Sequence, residues 1–99
     1  MLDISSEYAN HLAEKHIDYN YEVEYGKKYD RIVQSYKGHT RMVHAFIERA
    51  SGKLIKPAGW NAPQKDKDGL AYRYDLSTPE GFAKAVAESD PYGSYLYKR

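Results

Sequence analysis

One stretch, Val43 to Leu76, reading VHAFIERASGKLIKPAGWNAPQKDKDGLAYRYDL, narrows the fold more than the rest of the chain. It sets a glycine turn between two apolar runs and brackets the single tryptophan with two prolines. Ala50-Ser51-Gly52 predicts a hairpin, because glycine takes the positive φ that a tight connection demands. Arg41 to Arg49 reads as a strand with Val43, Ala45 and Ile47 on one face and Met42, His44 and Phe46 on the other. Apolar groups on both faces predict a central strand. Lys53 to Lys56 returns as its partner, and Pro57, which lacks an amide hydrogen, ends the ladder or restricts it to an edge. Pro57 to Pro63 is expected to be an ordered turn, since two fixed φ angles restrict it and the indole of Trp60 needs something to pack on. Gln64 to Gly69 is expected to be the most mobile segment. A last strand follows over Ala71 to Leu76, where Tyr72, Tyr74 and Leu76 alternate with Arg73 and Asp75.

Ahead of this stretch, Ser5 and Ser6 offer capping oxygens to a helix over about residues 5 to 16, in which Ile4, Tyr8 and Leu12 recur at four-residue spacing. Tyr19, Tyr21, Val23 and Tyr25 alternate with Asn20, Glu22 and Glu24, which is strand periodicity. Tyr29 to Tyr36 reads as a further strand around Ile32 and Val33, with Lys37-Gly38-His39 as its turn. After the sheet, Ser77-Thr78-Pro79-Glu80 opens a helix with a hydroxyl cap, a proline in the first turn and an acid near the positive end of the dipole. Phe82 and Val86, with Ala83, Ala85 and Ala87, form its expected inward stripe. Pro91 stops it near Ser89. Asp90-Pro91-Tyr92-Gly93 is a turn, and the apolar residues of SYLYKR predict a docked tail.

The expected fold is therefore α+β: a small antiparallel sheet of three to five strands flanked by an N-terminal and a C-terminal helix. A single domain spans 1–99, with an acidic helix and extended segment at 1–25, the sheet core at 29–76, and the C-terminal helix and tail at 77–99. The length of 99 residues is adequate for one core and little more. Eleven tyrosines supply rings that bury while their hydroxyls stay wet or bonded.

The chain has no cysteine, so it has neither disulfides nor thiolate metal ligands. Its first residues carry acids and histidines where a signal peptide needs an apolar run, and no segment has the length of a membrane span. A soluble, intracellular protein is expected. Residues 1 to 25 hold six acids and one base, a sum of −5, which leaves +6 for residues 26 to 99 of a chain whose net charge is +1. That basic body attracts a polyanion or folds against the acidic segment.

Val43, His44, Phe46, Gly52, Lys56, Pro57, Ala58, Trp60, Ala62, Pro63, Lys65, Arg73, Tyr74 and Leu76 form a pattern that resembles a set of short, uncharacterised tailed-bacteriophage proteins. Residues 66 to 72 make the connection after Lys65 longer than in that pattern. The resemblance implies a phage-encoded accessory protein in the cytoplasm of an infected host cell, with no known activity.

Chemistry of other kinds has little footing. The four histidines, His11, His16, His39 and His44, lack the spacing of a zinc site, and no helix offers two of them at i, i+4. Ser35, Ser51, Ser77 and Ser94 fit turns and caps rather than a nucleophile elbow. Asp66 and Asp68 lie in a lysine-rich turn and read as solvated charge. No catalytic residue, metal or cofactor is expected. Two binding roles remain. In the first, Lys53, Lys56, Lys65, Lys67 and Arg73 track the phosphates of a single-stranded nucleic acid or a nucleoprotein, and Trp60, Tyr72 or Tyr74 stacks on its bases. In the second, the acidic, tyrosine-rich N-terminal segment or the tail grips a host or phage protein, inhibiting a host enzyme or defence factor. An open strand edge at Tyr19 to Tyr25 would also permit a dimer.

Overall fold

The structure, a computed structural model, describes residues 3–37, 40–60, 62–63, 65–66, 69–70, 72–91 and 93–96, and the backbone alone at 40, 65–66, 69–70, 72–73 and 94. Helix α1 (Ile4–Lys15) leads into strands β1 (Tyr19–Tyr25), β2 (Tyr29–Tyr36), β3 (Thr40–Glu48) and β4 (Lys53–Ile55). Two short strands, β5 (Lys65–Asp66) and β6 (Gly69–Leu70), precede β7 (Tyr72–Asp75), helix α2 (Pro79–Glu88) and a 3-10 turn at Ser94–Leu96. The main sheet is antiparallel, in the order β1-β2-β3-β4-β7. This is the α+β architecture that the alternating strands and the two capped helices predict. Among the described residues, no helix is long and apolar enough to cross a membrane.

Both helices lie on one face of the sheet, α1 over β1 and β2, α2 over β7, and each touches the other. Between helices and sheet sits the main core, in which Tyr8, Leu12, Ile32, Ala45, Ile47, Leu54 and Leu96 are sealed from solvent. Each such aliphatic side chain contributes roughly 1.5–3 kcal/mol through the area it removes from water. Lys15 ties the layer together. Its Nζ donates to the carbonyls of Val86, Ala87 and Ser89 at 2.8, 2.8 and 3.0 Å, satisfying the end of α2 with a cation at the negative pole of the dipole.

Gly52 adopts φ +76° in the β3–β4 turn, as the hairpin requires. Gly81 is held for a different reason: a methyl group there would run into the carbonyl of Asp75 and the Thr78 hydroxyl that caps α2. Ser94–Leu96 docks as expected, with Tyr95 and Leu96 fully buried.

Three details depart from the sequence reading. The cap of α1 is Asp3, whose carboxylate accepts from the Ser6 amide at 2.8 Å; Ser5 is instead buried and donates to Asp30 at 2.7 Å. On β3 the simple alternation fails, because the register with β2 jumps from Ile32↔Ala45 to Val33↔Val43 and leaves His44 as an extra residue in a bulge. His44, Ala45 and Ile47 then face the helices, while Val43 and Phe46 share the opposite face. On α2 only Ala85 is buried; Phe82 and Val86 are half-buried and, with Ala83, Ala87 and His11, line an open apolar groove. Within Gln64 to Gly69, the described residues pair with the strand that follows, Lys65↔Leu70 and Asp66↔Gly69, while Gln64, Lys67 and Asp68 lie outside the described residues. The turn residues Gly38 and His39 lie outside the described residues.

Candidate functional site

The face of the sheet away from the helices is organised around the loop that follows β4. Pro57 and Pro63 form an isolated bridge, and the Ala58 amide donates to the Ala62 carbonyl at 3.0 Å, so the loop closes on itself. It carries Trp60 over the sheet, where 45% of the residue stays exposed. Beneath it, the pleat of β2 puts Tyr29, Arg31 and Val33 on the outer face, Phe46 of β3 lies there in register with Arg31, and the bulge in β3 adds Val43. The Arg31 guanidinium is 5.8 Å from the Trp60 ring centre and 5.9 Å from that of Phe46, a cation–π position against both rings. Val33, Phe46 and Ile55 are buried here as a second small apolar group outside the main core. Val43, Pro57, Ala58, Gly59 and Trp60 line an open cleft of about 250 Å³.

Charge on this face is held rather than loose. Glu24 accepts from Arg31 at 2.7 Å and from Arg41 at 3.2 Å, and the bond from Arg31 is the main reason its carboxyl lies below the usual range. The Arg31 Nε has no protein partner among the described residues. That nitrogen is itself buried and closed to a ligand arriving from solvent.

Of the site residues predicted from sequence, Trp60 sits at the centre of this arrangement. Lys53 pairs in register with Asp75 on the same face, and Lys56 is half-buried just past β4. Lys65 is in β5, Tyr72 and Arg73 are in β7, and in all three only the backbone is described; Lys67 lies outside the described residues. Tyr74 is not a stacking platform. It faces Leu54 across the ladder on the helix side, is buried, and donates to Glu88 at 2.6 Å. Sequence reasoning missed Arg31, Arg41 and Phe46. Alternation does mark Arg31 as facing opposite to Ile32 and Phe46 as facing opposite to Ala45 and Ile47, but the Arg31↔Phe46 register that sets the two side by side leaves no sign in the letters.

The helix-side face holds a different constellation. His44 Nδ1 lies 3.0 Å from Gln34 Oε1, His44 Nε2 lies 2.7 Å from the Tyr95 hydroxyl, and that hydroxyl lies 2.7 Å from the Tyr8 hydroxyl. Burial pushes the imidazole down to about 4, and His16 adds to the effect while Asp90 opposes it. Desolvation likewise holds both tyrosine hydroxyls well above their ordinary range. Both ring nitrogens of His44 are engaged by the protein and the residue is buried, so the chain of groups positions Tyr95 rather than presenting a lone pair to a ligand. His16 meets Ser89 Oγ at 3.2 Å, and the His11 ring packs edge-on against Phe82 at 5.2 Å. Among the described residues no three histidine or carboxylate side chains converge on a point where a metal would sit.

Neither the curated proteins nor the solved structures contain a match to this chain. A family model does match it, over residues 2–98, and by that match the chain belongs to DUF7717, a family of unknown function.

Proposed function

We propose that this is a phage-encoded, non-enzymatic accessory protein that binds single-stranded nucleic acid, or a nucleoprotein, on the helix-free face of its sheet, in the cytoplasm of the infected bacterium. One observation carries the reading: a half-exposed Trp60 held by a proline-closed loop and flanked by Arg31. An aromatic face beside a guanidinium suits an unpaired base and its phosphate, and each stacked base is worth roughly 1–3 kcal/mol. Lys53 and Lys56 extend the cationic strip along β4, and Lys65, Lys67, Tyr72 and Arg73 complete the proposed footprint. The overall +6 charge of residues 26 to 99 favours the approach of a polyanion. The resemblance in the Val43 to Leu76 pattern supports the phage origin.

The test is retardation of an oligothymidine of about 16 nucleotides at low salt, followed by a salt series. Retention at micromolar protein that falls log-linearly with salt supports phosphate contacts, and Trp60→Ala should weaken it at least tenfold. Full-strength binding by Trp60→Ala, or no retention at low salt, overturns the proposal.

A further inference from the structure

Strand β1 lies at the edge of the sheet, paired with β2 on one side only. Every second residue of an antiparallel strand turns its N–H and C=O away from its neighbour; the Tyr19 amide is taken by the His16 carbonyl at 2.9 Å, and beyond it Asn20 to Tyr25 presents a row of main-chain donors and acceptors. Several devices that guard such an edge are absent, and its charges are the two glutamates, Glu22 and Glu24. The strand YNYEVEY has neither proline nor lysine, and its register with β2 runs without a shift from Tyr19↔Tyr36 to Tyr25↔Asp30. Alongside it, Ser6, Ala9 and Asn10 of α1 face Tyr21, Glu22, Val23 and Tyr25 across an open groove of about 310 Å³. An edge strand beside a helix flank is the geometry by which strand-adding domains take an extended peptide.

Charge decides the occupant. On the outer side of β1 stand Asn20, Glu22 and Glu24. Glu24 is matched by Arg31 and Arg41, whereas Glu22 is exposed and makes no ion pair among the described residues. A second copy fits poorly: the antiparallel register with fullest overlap, centred on Glu22, sets that carboxylate against its own copy. We propose that β1 accepts an extended basic segment of a partner protein as an added strand. Lysine or arginine at alternate positions lies beside Glu22, and small or apolar side chains between them enter the groove against α1. This site uses residues distinct from those around Trp60 and stands whether or not nucleic acid binds there.

The probe is a synthetic peptide of about nine residues alternating lysine with valine and threonine, and its counterpart carries glutamate for each lysine. Anisotropy should show the lysine peptide binding at least tenfold more tightly, with backbone amide shifts centred on β1 and the facing flank of α1. Glu22→Lys, at an exposed position, should fold normally by circular dichroism and reverse the preference. Equal binding of both peptides, indifference to Glu22→Lys, shifts confined to the Trp60 face, or self-association of the protein through β1 would overturn the proposal.

Discussion

The two faces of the sheet use the same residue types for opposite ends. On the helix side, Tyr8, Tyr74 and Tyr95 bury their rings and hand their hydroxyls to His44, to Glu88 or to one another. On the helix-free side, Trp60 keeps nearly half its surface in solvent, with the Arg31 guanidinium 5.8 Å from its ring centre. Aromatic content alone therefore does not separate core from surface in this chain. What separates them is whether a second layer arrives to cover the ring, and here the helices cover one side only.

The sharpest way to break this comparison is to cut into the covered face. Leu54→Ala removes a fully buried side chain beneath the helices and should cost about 2–5 kcal/mol in a chemical denaturation series. If it costs no more than a surface substitution, the helix-side layer is not the source of stability.

Acid should act on the same face, and the sign is fixed. Burial depresses the folded pKa of His44, from its ordinary 6.5 to about 4, so the unfolded chain binds the extra proton first. The stability contributed by keeping this imidazole neutral is fully present above pH 6.5. It should drain away as pH falls toward 4, on the order of 3 kcal/mol in all. Denaturation midpoints across this window check it, and His44→Gln should flatten the slope.

A smaller effect is expected on the other face. Trp60→Ala should cost roughly 1–2 kcal/mol, less than a fully buried aromatic ring, because nearly half of the residue is in solvent to begin with. A loss matching that of Leu54→Ala would make Trp60 a core residue and erase the distinction between the faces. The smallest belongs where the helices meet. Lys15→Met keeps the aliphatic stem but removes the donors to three carbonyls at the end of α2, and should cost about 1 kcal/mol, read as a lower melting temperature.

Much of the fold was legible in the letters. The alternation of tyrosines from Tyr19 to Tyr25, the glycine turn at Gly52 and the Thr78-Pro79 helix opening each state a local rule that tertiary packing obeys. The departures arise where two rules compete. Asp3 outranks Ser5 as a cap because Ser5 is drawn inward to Asp30, a partner 25 residues away. The β3 bulge moves Val43 to the face opposite Ala45 and Ile47 and brings His44 onto theirs, and a bulge depends on the neighbouring strand rather than on the strand's own residues. Of the candidate site, Trp60 and its proline brackets were visible in sequence. The Arg31 and Phe46 beneath it were not, since they come from two other strands and meet Trp60 only once the loop folds back over the sheet.

The single tryptophan makes the central claim directly measurable, because its emission reports from one known place. Titrating the protein with oligothymidine while following Trp60 fluorescence should show saturable quenching, reversed as salt is raised. Emission that stays constant while the oligonucleotide is demonstrably bound would contradict the account, for the nucleic acid would then sit somewhere other than the helix-free face.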